Sequence, residues 1–350
     1  MLPTILVTCG DPAGIGPEIV LRAWTTTSAH ARARLRVVAD AATLTAVLES
    51  RAGLPPLPCT VIAADDTRPS RPDELLVVEP QPPAEPAMIP AATITAAGGT
   101  AAARAVIAAA RLVRDDLARA VVTGPLHKEA LHAAGFDVPG HTELLARTCG
   151  LGDDAASMML WLPHDRGQGG LGVVHATLHE SLRTALGRLS PERIVEAGLR
   201  LAPVLACLLG RPPRIAVAAL NPHGGEGGLF GDDERTLVAP AVERLRAAGL
   251  DVAGPLPADT LFARASGGAF DGVVALYHDQ GHIPIKLLGM HRAVNITLGL
   301  PLVRTSVAHG TAFDIVGTGR ADARSMLSAV DAAISLVEAG YGRIAPRPCT

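Results

Sequence analysis

Three histidines stand just past three apolar runs: His179 after 171–176, His223 after 215–220, and His278 after 273–277. Apolar runs of that length read as buried strands, and open α/β sheets place their ligand sites beyond the carboxyl ends of strands. Three neutral imidazoles that leave coordination positions open make a catalytic metal site. Such a site can hold Zn, Co, Ni, Mn or Mg while a substrate hydroxyl and carboxylate complete the shell. Any one of the chain's 12 histidines is more ordinarily a surface or satisfied core residue. Three at equivalent strand ends, inside the polar stretches HESL, NPHGGEGG and YHDQGH, outweigh that background. His175 falls inside its strand and is the one read as a non-ligand.

Around the histidines lie groups suited to oxyanions. Lys286, Asn295 and Arg304 follow His278 and offer an ammonium, an amide and a guanidinium to phosphate or carboxylate oxygens. Gly140-His141-Thr142 adds donors at a helix start, where anions are favoured. Asp279, beside His278, can orient a ligand, touch a metal, or act as a base. Lys286 and Asp279 are therefore the two candidates for the catalytic base. Only Lys128 and Lys286 among the 31 basic residues are lysines, which marks both for tasks that need a compact, titratable ammonium. Glycines crowd the loop after His223, giving a backbone able to approach a ligand closely. Two further glycine loops, 10–20 and 309–322, are weak nucleotide signals by spacing alone, since neither is GxGxxG or a P-loop.

The elements that must position these residues alternate regularly. Strands are expected at 5–8, 35–39, 75–79, 120–123, 171–176, 215–220 and 273–277, with helices at 101–117, 190–208 and 232–248. That alternation predicts a two-lobed, doubly wound α/β/α fold with a largely parallel sheet. At 350 residues the chain suits two lobes. Strand pattern and resemblance to two-lobed α/β enzymes, which return their C-terminal segment to the first lobe, place them at 1–130 plus 305–350 and at 131–304, the latter carrying metal and substrate residues. The proline-rich stretch 51–90 reads as surface loops around one strand, and the tail after Tyr341 as frayed.

Composition removes several function classes. A net charge of -3 and a pI near 6.5 provide no cationic field for nucleic acid or membrane, so any anion is bound locally. Five scattered cysteines without a CxxC pair argue against a disulfide framework or thiolate zinc, and for a reducing compartment. No apolar run reaches the roughly 20 residues of a membrane span, and the start reads as a first strand, so the cytoplasm is expected.

The ordered blocks GDPAGIGPEI, VTGPLHKEALHAAGF, GHTELLA, LNPHGGEGGLFGDDE, GPLPADTLF, YHDQGHIPIK, VNITLGLP and RTSVAHGTAFDI resemble the 4-hydroxythreonine-4-phosphate dehydrogenase family of vitamin B6 synthesis, over nearly the whole chain. GDPAGIGPE and HGTAFDI are also similar to the cofactor-side loops of isopropylmalate and isocitrate dehydrogenases. The resemblance implies their two-lobed fold and a homodimer, with active sites in the cleft and at the dimer interface. It implies a metal on His179, His223 and His278, and substrate on His141, Thr142, Lys286, Asn295 and Arg304. It places NAD, with NADP as an alternative, against Gly14, Gly16, His309, Gly310, Thr311, Ala312 and Asp314. HESL and GHIPIKLLG look more like the catabolic branches, which act on 4-phospho-D-threonate or D-erythronate or, in terephthalate degradation, on an unphosphorylated diol. Retention of Gly140-His141-Thr142, Asn295 and Arg304 favours a phosphorylated substrate. His127 stands where the family usually has Asn, which leaves the role of Lys128 open. A phosphate acyltransferase of related fold would need neither the histidine triad nor NAD, and a secreted solute-binding protein would need a signal segment.

Overall fold

The computed structural model describes residues 2–51, 54, 56–82, 88–152, 155–164 and 169–342, so most of the tail after Tyr341 and Cys349 lie outside the described residues. The chain divides into two compact units, 1–156 with 299–350 and 157–298.

The first unit runs β1 (Thr4–Thr8), α1 (Gly16–Thr26), β2 (Arg34–Val38), α2 (Ala41–Glu49), β3 (Cys59–Val61), β4 (Leu75–Val78), α3 (Ala96–Arg114), β5 (Ala120–Thr123), α4 (Lys128–Ala133) and α5 (His141–Thr148). The second runs β6 (Ser157–Pro163), β7 (Gly170–His175), α6 (Leu182–Arg188), α7 (Pro191–Leu209), β8 (Arg214–Ala218), α8 (Ala239–Ala247), β9 (Asp251–Leu256), α9 (Ala258–Ser266), β10 (Gly272–Ala275), α10 (His278–Gly289) and β11 (Val294–Leu298). The chain then returns to the first unit with β12 (Val303–Val307) and α11 (Arg324–Glu338).

In the first unit the strand order is β3-β4-β2-β1-β5-β12, parallel throughout. Every residue of β1, β4, β5 and β12 is buried, as expected of strands covered on both faces. Helix α3 starts where the Thr95 hydroxyl accepts from Gly98 N at 3.0 Å. It is long and apolar enough to cross a membrane, yet its Ala102, Ala103, Val106, Ala109 and Ala110 are buried within the unit. It meets α4 at Gly99, where a Cβ would lie 1.9 Å from Ala130 O.

In the second unit the order is β11-β6-β7-β10-β8-β9. Strands β7, β10, β8 and β9 are mutually parallel, while β6 runs antiparallel to both neighbours.

Two expectations need correction. The units part at 156/157 and 298/299, and not at 130/131 and 304/305. Leu131 of α4 and Leu144 and Leu145 of α5 are buried in one cluster with Ala103, Val106 and Ala110 of α3, and β12 pairs with β5, so His141, Thr142 and Arg304 belong to the first unit. The helix expected over 232–248 opens as a π-helical turn, Glu234–Val238, before α8. The other expected strands and helices fall within a few residues of β1, β2, β4, β5, β7, β8, β10, α3 and α7.

Candidate active site

In the second unit the three histidines follow three neighbouring parallel strands. His179 lies past β7, His278 opens α10 after β10, and His223 follows β8, with β10 flanked by the other two. Adjacent strand ends are about 5 Å apart, so one sheet edge presents all three imidazoles. His223 begins a left-handed run: His223, Gly224, Gly225, Glu226, Gly227 and Gly228 have φ of 53, 68, 78, 46, 68 and 102°. Positive φ at His223 and Glu226, which carry Cβ atoms, is costly, and such strain is characteristic of functional segments. The buried Glu234 secures the run's start, since its Oε1 accepts from Leu220 N at 2.9 Å and Asn221 N at 2.7 Å. Gln280 ties β10 to the same segment, accepting from Leu276 N at 2.7 Å and donating to Ala219 O at 2.7 Å.

The rings of His179 and His278 are 5.8 Å apart between centroids. Two imidazoles sharing one ion through nitrogens at ~2.0–2.1 Å have centroids up to about 6 Å apart, so this pair fits a shared metal. His278 Nδ1 meets Asp279 Oδ1 at 2.6 Å, which fixes the ring and leaves Nε2 for a ligand. Among the described residues no three His, Cys, Asp or Glu side chains are gathered tightly enough to hold an ion. The donor set, the common strand edge and the spacing of His179 and His278 fit a divalent ion.

Behind His278 stands a column of two imidazoles: His175, read from the sequence as a strand residue and not a ligand, and His282, which the reading of residue types did not single out. His282, one helical turn along α10, stacks on His278 at 3.7 Å and 10°. Its Nδ1 lies 3.1 Å from Nε2 of the buried His175. Burial, then the neighbouring His278, pulls His282 down to about 4; burial, then His282, holds His175 well below the usual imidazole range. Both are neutral near pH 7. The signal in the sequence is an i, i+4 histidine pair at the start of a helix. Lys286 continues the spacing along α10 and is exposed, and Asn295 on β11 has a buried Oδ1 without a partner.

In the first unit Arg304, the second residue of β12, is 2% exposed. Its Nε and Nη2 donate to the Thr123 hydroxyl at 3.2 and 2.7 Å. Burial pulls its guanidinium down to about 9, against the pull of Glu143, so it stays charged at neutral pH. His141 is the first residue of α5 and Thr142 the second. Burial, then Arg304, lowers His141 well below the usual range, and its buried Nε2 has no partner. A lasting cation beside an orphaned imidazole nitrogen suits an anionic group.

The loops after β1, β5 and β12, neighbours in the sheet, also meet. Asp11 N donates to Pro125 O at 2.9 Å and Ile15 N to Thr311 O at 3.0 Å. Gly14 and Gly16 are buried here, and a Cβ would come within 2.8 Å of Thr311 Cβ or 1.8 Å of Cys9 O respectively. Thr311 is buried, Ala312 adopts φ 45°, and His309, Gly310 and Asp314 reach the surface to different degrees. His127 stacks on Phe313 at 5.2 Å, while Lys128 is exposed at the start of α4.

The histidine-bearing strand edge of the second unit offers donors that suit a divalent ion, and the buried arginine of the first offers a cation that suits an oxyanion. The family model described as "Pyridoxal phosphate biosynthetic protein PdxA" matches residues 31–333, and the chain belongs to that family. It is 44% identical over 94% of its length to the D-threonate 4-phosphate dehydrogenase of Cupriavidus necator, covering 96% of that protein. The crystal structure of the Klebsiella pneumoniae 4-hydroxythreonine-4-phosphate dehydrogenase superposes with a TM-score of 0.82 at 42% identity, over 96% of this chain and 98% of that one. A terephthalate 1,2-cis-dihydrodiol dehydrogenase from Burkholderia xenovorans gives 0.63 at 32% identity, over 97% and 99%. The chain is an oxidoreductase of the dehydrogenase class, acting on a CH–OH group.

Proposed function

We propose that this protein oxidises and decarboxylates 4-phospho-D-threonate, using NAD and one divalent metal. The observation that carries the phosphorylated substrate is the charged, buried Arg304 beside the unpartnered His141 Nε2. His141, Thr142 and Arg304 are assigned to the substrate's anionic groups, joined by Asn295, whose orphaned Oδ1 would accept from a substrate hydroxyl. His179, His223 and His278 would hold the ion. Such an ion, when bound, acidifies a hydroxyl and stabilises charge developing on oxygen. Nitrogen donors favour Zn, Co or Ni over Mg.

Asp279 is engaged with His278 Nδ1, so Lys286 is the base. Lys286 takes the proton of the hydroxyl on the carbon two positions from the carboxylate; NAD, when bound, would supply the acceptor for that carbon's hydride. The β-keto acid then breaks its bond to the carboxylate. The electron pair moves onto the keto oxygen, carbon dioxide leaves, and Lys286 returns the proton to carbon. The products are dihydroxyacetone phosphate and NADH. His309, Gly310, Thr311, Ala312 and Asp314 would receive NAD or, as the alternative, NADP, with Gly14 and Gly16 setting how closely the loops pack.

Helix α10 leaves Ile283, Leu287 and Met290 exposed at 52%, 82% and 50%, an i, i+4, i+7 stripe that suits burial in a homodimer. Leu287→Glu should then shift the protein to a monomer in size-exclusion chromatography with light scattering; an unchanged mass removes this stripe from the interface. The described free cysteines suit the cytoplasm.

The deciding assay follows NADH absorbance with 4-phospho-D-threonate, 4-phospho-D-erythronate, 4-hydroxythreonine 4-phosphate and an unphosphorylated diol acid, each with added metal. Turnover of the first is expected, and loss of metal-dependent turnover in a folded His223→Ala variant. Turnover of the diol acid alone would refute the phosphate assignment, and silence from all four would favour acyl transfer.

A further inference from the structure

Glu18 and Arg51 form an ion pair at 2.9 Å with side chains only 1% and 2% exposed, and the proposed reaction gives them no part. Buried charges in such a pair are weakly stabilising at best, because lost hydration offsets the attraction. What this pair achieves, and an apolar pair could not, is a set of bonds to backbone outside helices and strands. Arg51 Nη2 donates to Pro12 O at 2.8 Å. Glu18 Oε1, besides accepting from Arg51 Nη1, accepts from Gly317 N at 2.8 Å. Glu18 lies in the first turn of α1, directly after the 10–16 loop, and Gly317 follows the 309–315 loop. The two loops already touch, through Ile15 N to Thr311 O at 3.0 Å and the close approach of Gly14 to Thr311. Arg22 Nη2 adds a bond to Gly319 O at 3.1 Å. One carboxylate and one guanidinium thus fix how far apart the two glycine loops stand.

We propose that Glu18 and Arg51 are positioning residues for the dinucleotide: the pair holds the loops following β1 and β12 at the spacing that binds NAD. This rests on the assignment of NAD to those loops. A binding surface built from loops loses affinity when it must be ordered on binding, so releasing the pair should weaken NAD selectively.

The test measures NAD and metal dissociation constants by calorimetry on the full-length, metal-loaded protein, together with KM for NAD and for the acid. Glu18→Gln keeps shape and one acceptor while removing the charge. Its NAD dissociation constant and KM for NAD are expected to rise about tenfold, with metal affinity and the KM of the acid unmoved. Should that variant fail to fold, Arg51→Lys carries the test, because an ammonium keeps the charge but cannot fork between Glu18 and Pro12. A folded variant with a lower Tm and unaltered NAD affinity would make the pair purely structural and overturn the proposal. Failure of the unmodified protein to bind NAD would instead overturn the cofactor assignment, and the clamp with it.

Discussion

Arg304 sits in a strand whose every residue is covered, a position that ordinarily takes an apolar side chain. That burial sets the size of the effect expected on removing it. Arg304→Ala removes charge-assisted bonds of ~1.5–3 kcal/mol, so KM for the phosphorylated acid should rise roughly tenfold to a hundredfold. Initial rates against substrate concentration decide it; an unchanged KM would take Arg304 out of the phosphate site. In the amino-acid sequence Arg304 is legible as a cation, but its burial is not. His179, His223 and His278 are legible in their place at the sheet edge, because an imidazole after a strand needs only a strand before it and a polar loop around it. Asp279 illustrates the opposite limit. As a residue it is equally a base, a ligand or an orienting group, and the sequence does not show the 2.6 Å contact with His278 Nδ1 on which the proposed orienting role rests.

At the scale of the element, α10 shows what periodicity conceals. The helix sets His278, His282 and Lys286 four residues apart on one face, and its first turn can approach β7 only through Gly281. A Cβ there would lie 2.5 Å from His175 Nε2 and 2.7 Å from Val173 Cγ1. The 3.1 Å bond between His175 and His282, and the stack of His282 on His278, depend on that approach. Gly281→Ala should therefore displace His175, loosen His278 and weaken metal binding by about 10- to 100-fold, as loss of an outer partner of a metal ligand does. Gly187→Ala in α6, where an added Cβ meets nothing within 4 Å, is the control and should leave metal affinity alone. Equal affinities in both variants by calorimetry would show that the imidazole column does not orient His278. The left-handed run from His223 is out of reach of sequence reading for a similar reason: its glycines announce freedom, but Glu234, eleven residues on, chooses the conformation.

For the whole molecule, length anticipates two units and the habit of two-lobed α/β enzymes anticipates the return of the chain to the first; strand-helix alternation anticipates only the α/β class. It cannot reveal that β6 runs antiparallel, because SMMLWLP is as apolar as a parallel strand and direction is settled by its partners β7 and β11. Nor can it reveal how charge is divided between the two edges of the second unit's sheet. The histidines occupy the carboxyl ends of β7, β10 and β8; at the opposite edge, just before β10, lies the buried Asp271. Its carboxylate accepts from Arg211 Nη1 and Nη2 at 2.9 and 2.7 Å and from Arg214 N at 2.8 Å. Burial alone would raise its pKa, but the bonds from Arg211 and Arg214 outweigh it and bring the carboxyl from 3.8 to about 2. A carboxyl with a depressed folded-state pKa contributes stability above its unfolded value and loses that contribution as pH falls through its folded value, here between about 4 and 2. Both arginines stand half in solvent, which screens the pair and holds the contribution to roughly 1–2 kcal/mol. Asp271→Asn should lower Tm at pH 7, with the gap to the unmodified protein closing as pH falls from 4 toward 2. Its place at the edge opposite the histidines means metal and NAD affinities at pH 7 should not change. Melting curves across that range test the argument: a constant gap would show that the carboxylate's charge is not what stabilises this edge, and altered metal affinity would show that the two edges of the sheet are coupled.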